Sequence, residues 1–241
     1  GAPEAPEAAA ANATAGPAPR AAVVLPVVEG EEGRWDAALL RRRLAERLAG
    51  AGFRVTVLLV AGADVEWGAQ ALRGLKRALN GTAAFPRGGG VEFQTLREPR
   101  TSYSSSYPVV LAFQTYQWLK ARPGFALVYF LDRRGLGYYA AAAKRQGLAF
   151  HNATLAVLLT GPRVWAAAKP GAQDLLGSLE AMEVAHMEAG AVEAADVVLA
   201  EDAAALRWLR GPGGWRFPAA TAVVGTFLAG AGGGAHAPGD G

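Results

Sequence analysis

The residues best suited to chemistry stand directly after an apolar run. ALVYFL (126–131) is followed by Asp132, Arg133, Arg134, Gly135, Leu136 and Gly137. A carboxylate at a strand end can accept a hydrogen bond from a sugar hydroxyl, or it can cap the helix that follows. Capping is the simpler reading of Asp132. Arg133 and Arg134 have the chemistry to meet a phosphate, although adjacent arginines more often form a solvated or salt-bridged rim. A second junction follows ATLAVLLT (153–160), where Thr160, Gly161 and Pro162 make a Gly-Pro turn, structural punctuation in the first instance. A third is VEGEEGRWDAALL, after AAVVLPVV (21–28). Gly30 and Gly33 could turn backbone N–H groups towards a phosphate at a helix start. Their spacing is not GxGxxG, however, and Glu31 and Glu32 would repel an anion.

Other chemistries lack their residues. The chain has no cysteine, which excludes disulfides, thiolate metal sites and cysteine nucleophiles. His151, His186 and His236 show no helical pairing, so no metal site is expected. There is no Gly-x-Ser-x-Gly elbow and no P-loop. Net charge is only +3, with no basic stripe interleaved with aromatics, which argues against nucleic acid as a partner. No apolar run reaches the roughly 18 residues of a membrane span.

The elements that must position these junctions alternate between strand and helix. Strands are expected at 21–28, 54–62, 91–96, 126–131, 153–160, 196–200 and 221–225. Helices are expected from Asp36 to Gly50, at 69–79, 108–120, 136–146, 173–194 and 203–209. Repeated β-then-α order with continuously apolar strands predicts an α/β fold, a Rossmann-like parallel sheet with helices on both faces. Residues 1–20, rich in Ala, Pro and Glu, and the Gly-rich 231–241 read as tails or linkers around one domain at 21–230. Asn12, Asn80 and Asn152 are the only asparagines, and each stands in an Asn-x-Thr sequon. This raises N-glycosylation in a lumenal or extracellular setting. Alternatively, Asn80-Gly81 is simply a turn and Asn152 a strand-entry residue.

The stretch FLDRRGLGYYAAAAKRQGLAFHNATLAVLLTGPRVW (130–165), together with HMEAGAVEAADVVLAEDAAALRWL (186–209), resembles the amino-terminal domain of family 4 glycosyltransferases (glycosyl transferases group 1), in particular a cyanobacterial-type branch. TYQWLK (115–120) and AGFRVTVL (51–58) extend the resemblance. It implies one half of a GT-B architecture, in which this half faces the acceptor and a second Rossmann-like domain binds a nucleotide sugar. Such enzymes retain anomeric configuration and need no essential metal. The acceptor cleft would then be lined from Gly33, Asp132, Arg134, Gly135, Thr160 and Gly161.

The departures from the family pattern bear on activity. The family's Gly-Gly-x-Gly run is represented by Glu32-Gly33-Arg34-Trp35. The His of its HGP turn is Thr160, the His before Asp132 is Leu131, and the Trp after it is Arg133. The serines ending its ADVVVSPS strand are Ala200 and Asp202. These losses point to a catalytically inactive domain serving as a structural or interaction module, with other protein domains or subunits as partners. No cofactor is expected in this chain; a nucleotide sugar would serve as donor only in an active parent protein. The alternatives are a fragment of an active retaining transferase with a glycan acceptor, or a sugar-binding module. A plastid would suit the cyanobacterial-type resemblance, a lumen or cell surface the sequons. Trp208, Trp215 and Phe217 are candidates for a partner surface, or cover the edge of the sheet.

Overall fold

A computed structural model describes residues 17–26, 44–45, 47–61, 91–97, 105–170 and 176–224. Seven strands run parallel in the order β3-β2-β1-β4-β5-β6-β7: β1 Arg20–Pro26, β2 Arg54–Ala61, β3 Val91–Arg97, β4 Phe125–Leu131, β5 Thr154–Leu159, β6 Val197–Ala200 and β7 Thr221–Val223. Among the described residues, the helices that follow β3 are α1 Tyr107–Lys120, α2 Tyr138–Arg145, α3 Arg163–Ala167, α4 Leu179–Ala194 and α5 Ala203–Arg210. A single 3₁₀ turn, Arg133–Gly135, joins β4 to α2. The expected Rossmann-like sheet is therefore present. The expected strand at 21–28 is observed over Arg20–Pro26, so Arg20 of the expected tail belongs to it; residues 1–16, 27–28, the helix at 69–79 and the tail at 231–241 lie outside the described set.

Strand composition explains the two-sided burial. Leu155 to Leu159 of β5 are buried without a break, which only a sheet covered on both faces tolerates. One face packs Val24, Leu58, Phe130 and Val157 against Leu111, Leu119, Leu136, Val192 and Leu209 of the helical layer. The other packs Val23, Leu25, Val57 and Leu158 against Leu44, Ala45 and Ala49, in the helical stretch that precedes β2. Each large side chain buried this fully stabilises the fold by about 1.5–3 kcal/mol. That stretch ends at Gly52, whose φ is +88°. Its N–H donates to the Ala49 carbonyl and that of Phe53 to Leu48, closing the helix as glycine permits.

The motif residues from Tyr138 to Gly147 act mainly as framework. Ala140, Ala141 and Ala143 bury the inner face of α2. Lys144 Nζ reaches the Ala153 carbonyl and Asp196 Oδ2, each at 2.5 Å, while the Leu155 N–H donates to the same Asp196 oxygen at 2.7 Å. One lysine thus ties the end of α2 to the amino ends of β5 and β6. Trp208, Trp215 and Phe217 are half-buried against the core. Trp208 lies 5.6 Å from Trp165, and Arg210 lies over Phe217. All three thus pack against the core, in keeping with the simpler expectation that they cover the edge of the sheet.

Candidate functional site

The strand order reverses between β1 and β4, and ligands of open parallel sheets sit beyond the carboxyl ends of strands near such a switch point. On β4 that end carries Asp132, which is 1% exposed. Its carboxylate accepts hydrogen bonds from the Thr160 N–H at 3.1 Å, the Gly161 N–H at 3.0 Å and the Thr160 hydroxyl at 2.8 Å. In return the Asp132 N–H donates to the Leu158 carbonyl. The expected helix-capping role is not seen: no side-chain capping bond forms in its own turn. Asp132 instead fastens the loop after β4 to the loop after β5. Of the six positions read as cleft-lining, the structure brings Asp132, Arg134, Gly135, Thr160 and Gly161 together at the ends of β4 and β5. Gly33 lies outside the described residues.

The turn after Asp132 is unusual in its backbone. Arg134 and Gly135 both have φ +60°, a region an arginine rarely adopts. The Arg134 N–H donates to Glu188 Oε1 at 3.1 Å, and the Arg163 N–H donates to Glu188 Oε2 at 2.7 Å. Glu188 is therefore the second clamp of this rim, holding the β4 turn and the start of α3 to α4. Gly135 fits because there is no room for a side chain. A Cβ there would stand 2.9 Å from the Met187 carbonyl carbon and 3.2 Å from the Glu188 nitrogen. Helix α2 begins at Tyr138 rather than Leu136: the turn occupies Arg133–Gly135, and Leu136 and Gly137 follow it before the helix starts.

Three acids converge here, and two of them went unnoticed in the sequence. Burial pushes Glu188 up to about 8, with the Asp132 charge adding to the shift. Burial likewise raises Asp132. Glu201, just past β6, is raised by burial and then by Asp132. One Glu201 oxygen (Oε1) and the Tyr129 hydroxyl are enclosed without a hydrogen-bond partner. The signal for Glu188 was present: Val184, Ala191 and Val192, at helical spacing around it, are all buried, so its carboxylate had to lie on the inner face. Among the described residues no group of three or more His, Cys, Asp or Glu side chains is placed to hold a metal ion. Nor is any of the described helices long and apolar enough to cross a membrane. Asn152 and Thr154 are exposed at the opposite end of the sheet, while Asn12 and Asn80 lie outside the described residues.

Asp132→Ala removes three hydrogen bonds to a carboxylate and strands two backbone N–H groups. It is expected to cost about 2–4 kcal/mol, read as a lowered urea midpoint with an unchanged denaturant slope.

No protein-family model matches the sequence, and neither does any curated protein. Solved structures do match in fold. The crystal structure of TcCGT1 in complex with UDP has a TM-score of 0.54 and 15% identity, covering 87% of this chain and 51% of that one. A UDP-glucosyltransferase from Polygonum tinctorium capable of glucosylating indoxyl has a TM-score of 0.50 and 8% identity, with 88% and 52% covered. A putative UDP-N-acetylglucosamine 2-epimerase from Listeria monocytogenes has a TM-score of 0.50 and 14% identity, with 84% and 44% covered. The chain thus has a glycosyltransferase-like Rossmann-type fold and spans about half the length of these structures.

Proposed function

We propose that this chain is the acceptor-side half of a family 4-like glycosyltransferase protein, transfers no sugar itself, and serves as a structural or interaction module. One observation carries the reading: both oxygens of Asp132 and both of Glu188 are engaged by groups of the chain's own loops. These are the two most deeply buried acids of the rim. Transition-state stabilisation requires polar groups aimed at the reacting atoms, and here they are aimed at the scaffold. The replacement of two family histidines by Leu131 and Thr160 supports the same reading. In the neighbouring folds roughly as much chain again accompanies the matched part, so the natural partner of this rim is another protein domain.

A second reading, a sugar-binding module, is favoured by Glu201. Its enclosed oxygen without a partner is an acceptor that a hydroxyl could satisfy. The two readings separate by experiment. The full-length protein would be titrated with uridine and guanosine diphosphates by calorimetry and assayed for nucleotide-sugar hydrolysis. No turnover is expected. Micromolar nucleotide binding accompanied by turnover would overturn the module reading in favour of an active transferase, and saturable binding of free sugars without turnover would replace it with the sugar-binding one.

A further inference from the structure

Away from the acid rim, a pocket of about 370 Å³ opens between α1, α2 and α4, lined by Val109, Tyr138, Tyr139, Met182, Glu183, His186 and Met187. Its size is at the lower end of the range for small-molecule sites. Its walls are aromatic and thioether. The Tyr138 and Tyr139 rings meet edge to face at 5.2 Å, and Phe113 meets Tyr139 in the same way at 5.5 Å. His186 lies 5.7 Å from Tyr138. Met182 is 57% exposed and Phe113 43%, unusual for large apolar side chains.

The one carboxylate among the described lining residues is Glu183. Its Oε2 is enclosed and accepts no hydrogen bond, and it forms no ion pair among the described residues. Burial, Tyr138 and Glu183 together raise the Tyr139 hydroxyl, so the acid and this ring share one environment. A lone carboxylate among π faces attracts a cation and repels phosphate and other anions. A neutral sugar would need several donors and acceptors, but the described lining residues offer only two phenols, one carboxylate and one imidazole. A primary ammonium would bring three N–H donors to a site with few acceptors, leaving some unsatisfied. A quaternary ammonium has none to satisfy and presents methyl groups to aromatic and thioether surfaces.

We propose that the pocket formed by Tyr138, Tyr139, Met182, Glu183 and His186 binds a quaternary ammonium group. This site is independent of the sheet's acid rim and of whether the parent protein transfers sugar.

The test is titration of the 241-residue chain with choline, with its uncharged isostere 3,3-dimethylbutanol, and with glucose. Calorimetry and the ring-current shift of the choline methyl protons would report binding. Saturable choline binding is expected, about tenfold tighter than the isostere, since cation–π attraction and one charge pair are worth about 1–2 kcal/mol together. Glu183→Gln, at a partly exposed position, should fold normally and weaken choline at least about fivefold while leaving the isostere unchanged. Equal binding of choline and isostere, insensitivity to Glu183→Gln, preference for glucose, or no methyl shift with the wild-type chain would each overturn the proposal.

Discussion

Gly135→Ala is expected to lower the unfolding free energy by about 3 kcal/mol, the largest single-methyl effect in the described fold. Two costs combine. A non-glycine residue at φ +60° loses about 1 kcal/mol to steric crowding with its own backbone. The new methyl also points into the backbone of α4 at Met187 and Glu188, and overpacking a site that cannot yield costs about 1–3 kcal/mol. The helix cannot retreat cheaply, because Glu188 holds it to Arg134 and Arg163. Gly190→Ala makes the control. Its Cβ would meet the ring of Tyr138 rather than backbone, and a ring can swing aside, so a clearly smaller loss is expected. Urea denaturation followed by circular dichroism ranks the two variants. If Gly135→Ala is no worse than Gly190→Ala, the tight β4–α4 contact is not a determinant of stability.

Stability should also fall as pH rises from about 5 to 8, with Glu188 contributing to that fall. The sign follows from proton linkage. Glu188 has its ordinary value of 4.5 in the unfolded chain but is held up to about 8 by burial and by Asp132. Between those values the native state retains a proton that the unfolded state has released, so raising the pH favours unfolding. The stabilising effect of that proton is fully present below 4.5 and is lost as the pH passes through about 8. Each pKa unit corresponds to about 1.4 kcal/mol, giving a total of a few kcal/mol. Asp132 and Glu201 are raised too and act with the same sign. Glu188→Gln, which keeps the shape and cannot ionise, should flatten the profile. Unfolding free energies at pH 5, 6, 7 and 8 provide the check. An undiminished slope in Glu188→Gln would mean that the proton resides elsewhere.

Much of this architecture was legible because strands buried on both faces are continuous apolar runs. ALVYFL and ATLAVLLT could be placed to within a residue or so for that reason, and TYQWLK continued a clear helix ending at Lys120. The errors lie where tertiary contacts override local preference. Asp132 sits where helix-capping residues sit, yet its carboxylate turns across to Thr160 and Gly161, loops separated from it by an entire β–α unit. Arg134 and Gly135 read as loop before a helix at 136–146, but they form a 3₁₀ turn in which both take positive φ, with Gly135 against the backbone of α4. The long helix expected from Gln173 is described only from Leu179, where the Ser178 hydroxyl accepts from the Ala181 N–H. The short α3 escaped notice because its five residues follow a proline and bury none of their side chains fully. The site was half legible. Its positions after the strands could be listed from alternation alone, whereas Glu188 shows its importance only once the inner stripe of α4 is drawn. What the acids hold, namely one another's loops, depends on distances no linear pattern contains.

The strand order also sets a sequence in time. In the half of the sheet from β4 to β7, every strand pairs with the next one in the chain. The central pair is different: Ala21 of β1 lies beside Leu127 of β4, about a hundred residues further along. Closing so large a loop carries an entropic cost that grows with its length, and folding slows as contacts become less local. The β1–β3 half is built in the same way, each strand pairing with the next in the chain, so the β1–β4 contact is the non-local step that local order defers, and until it forms β1 and β4 are both strand edges open to the wrong partner.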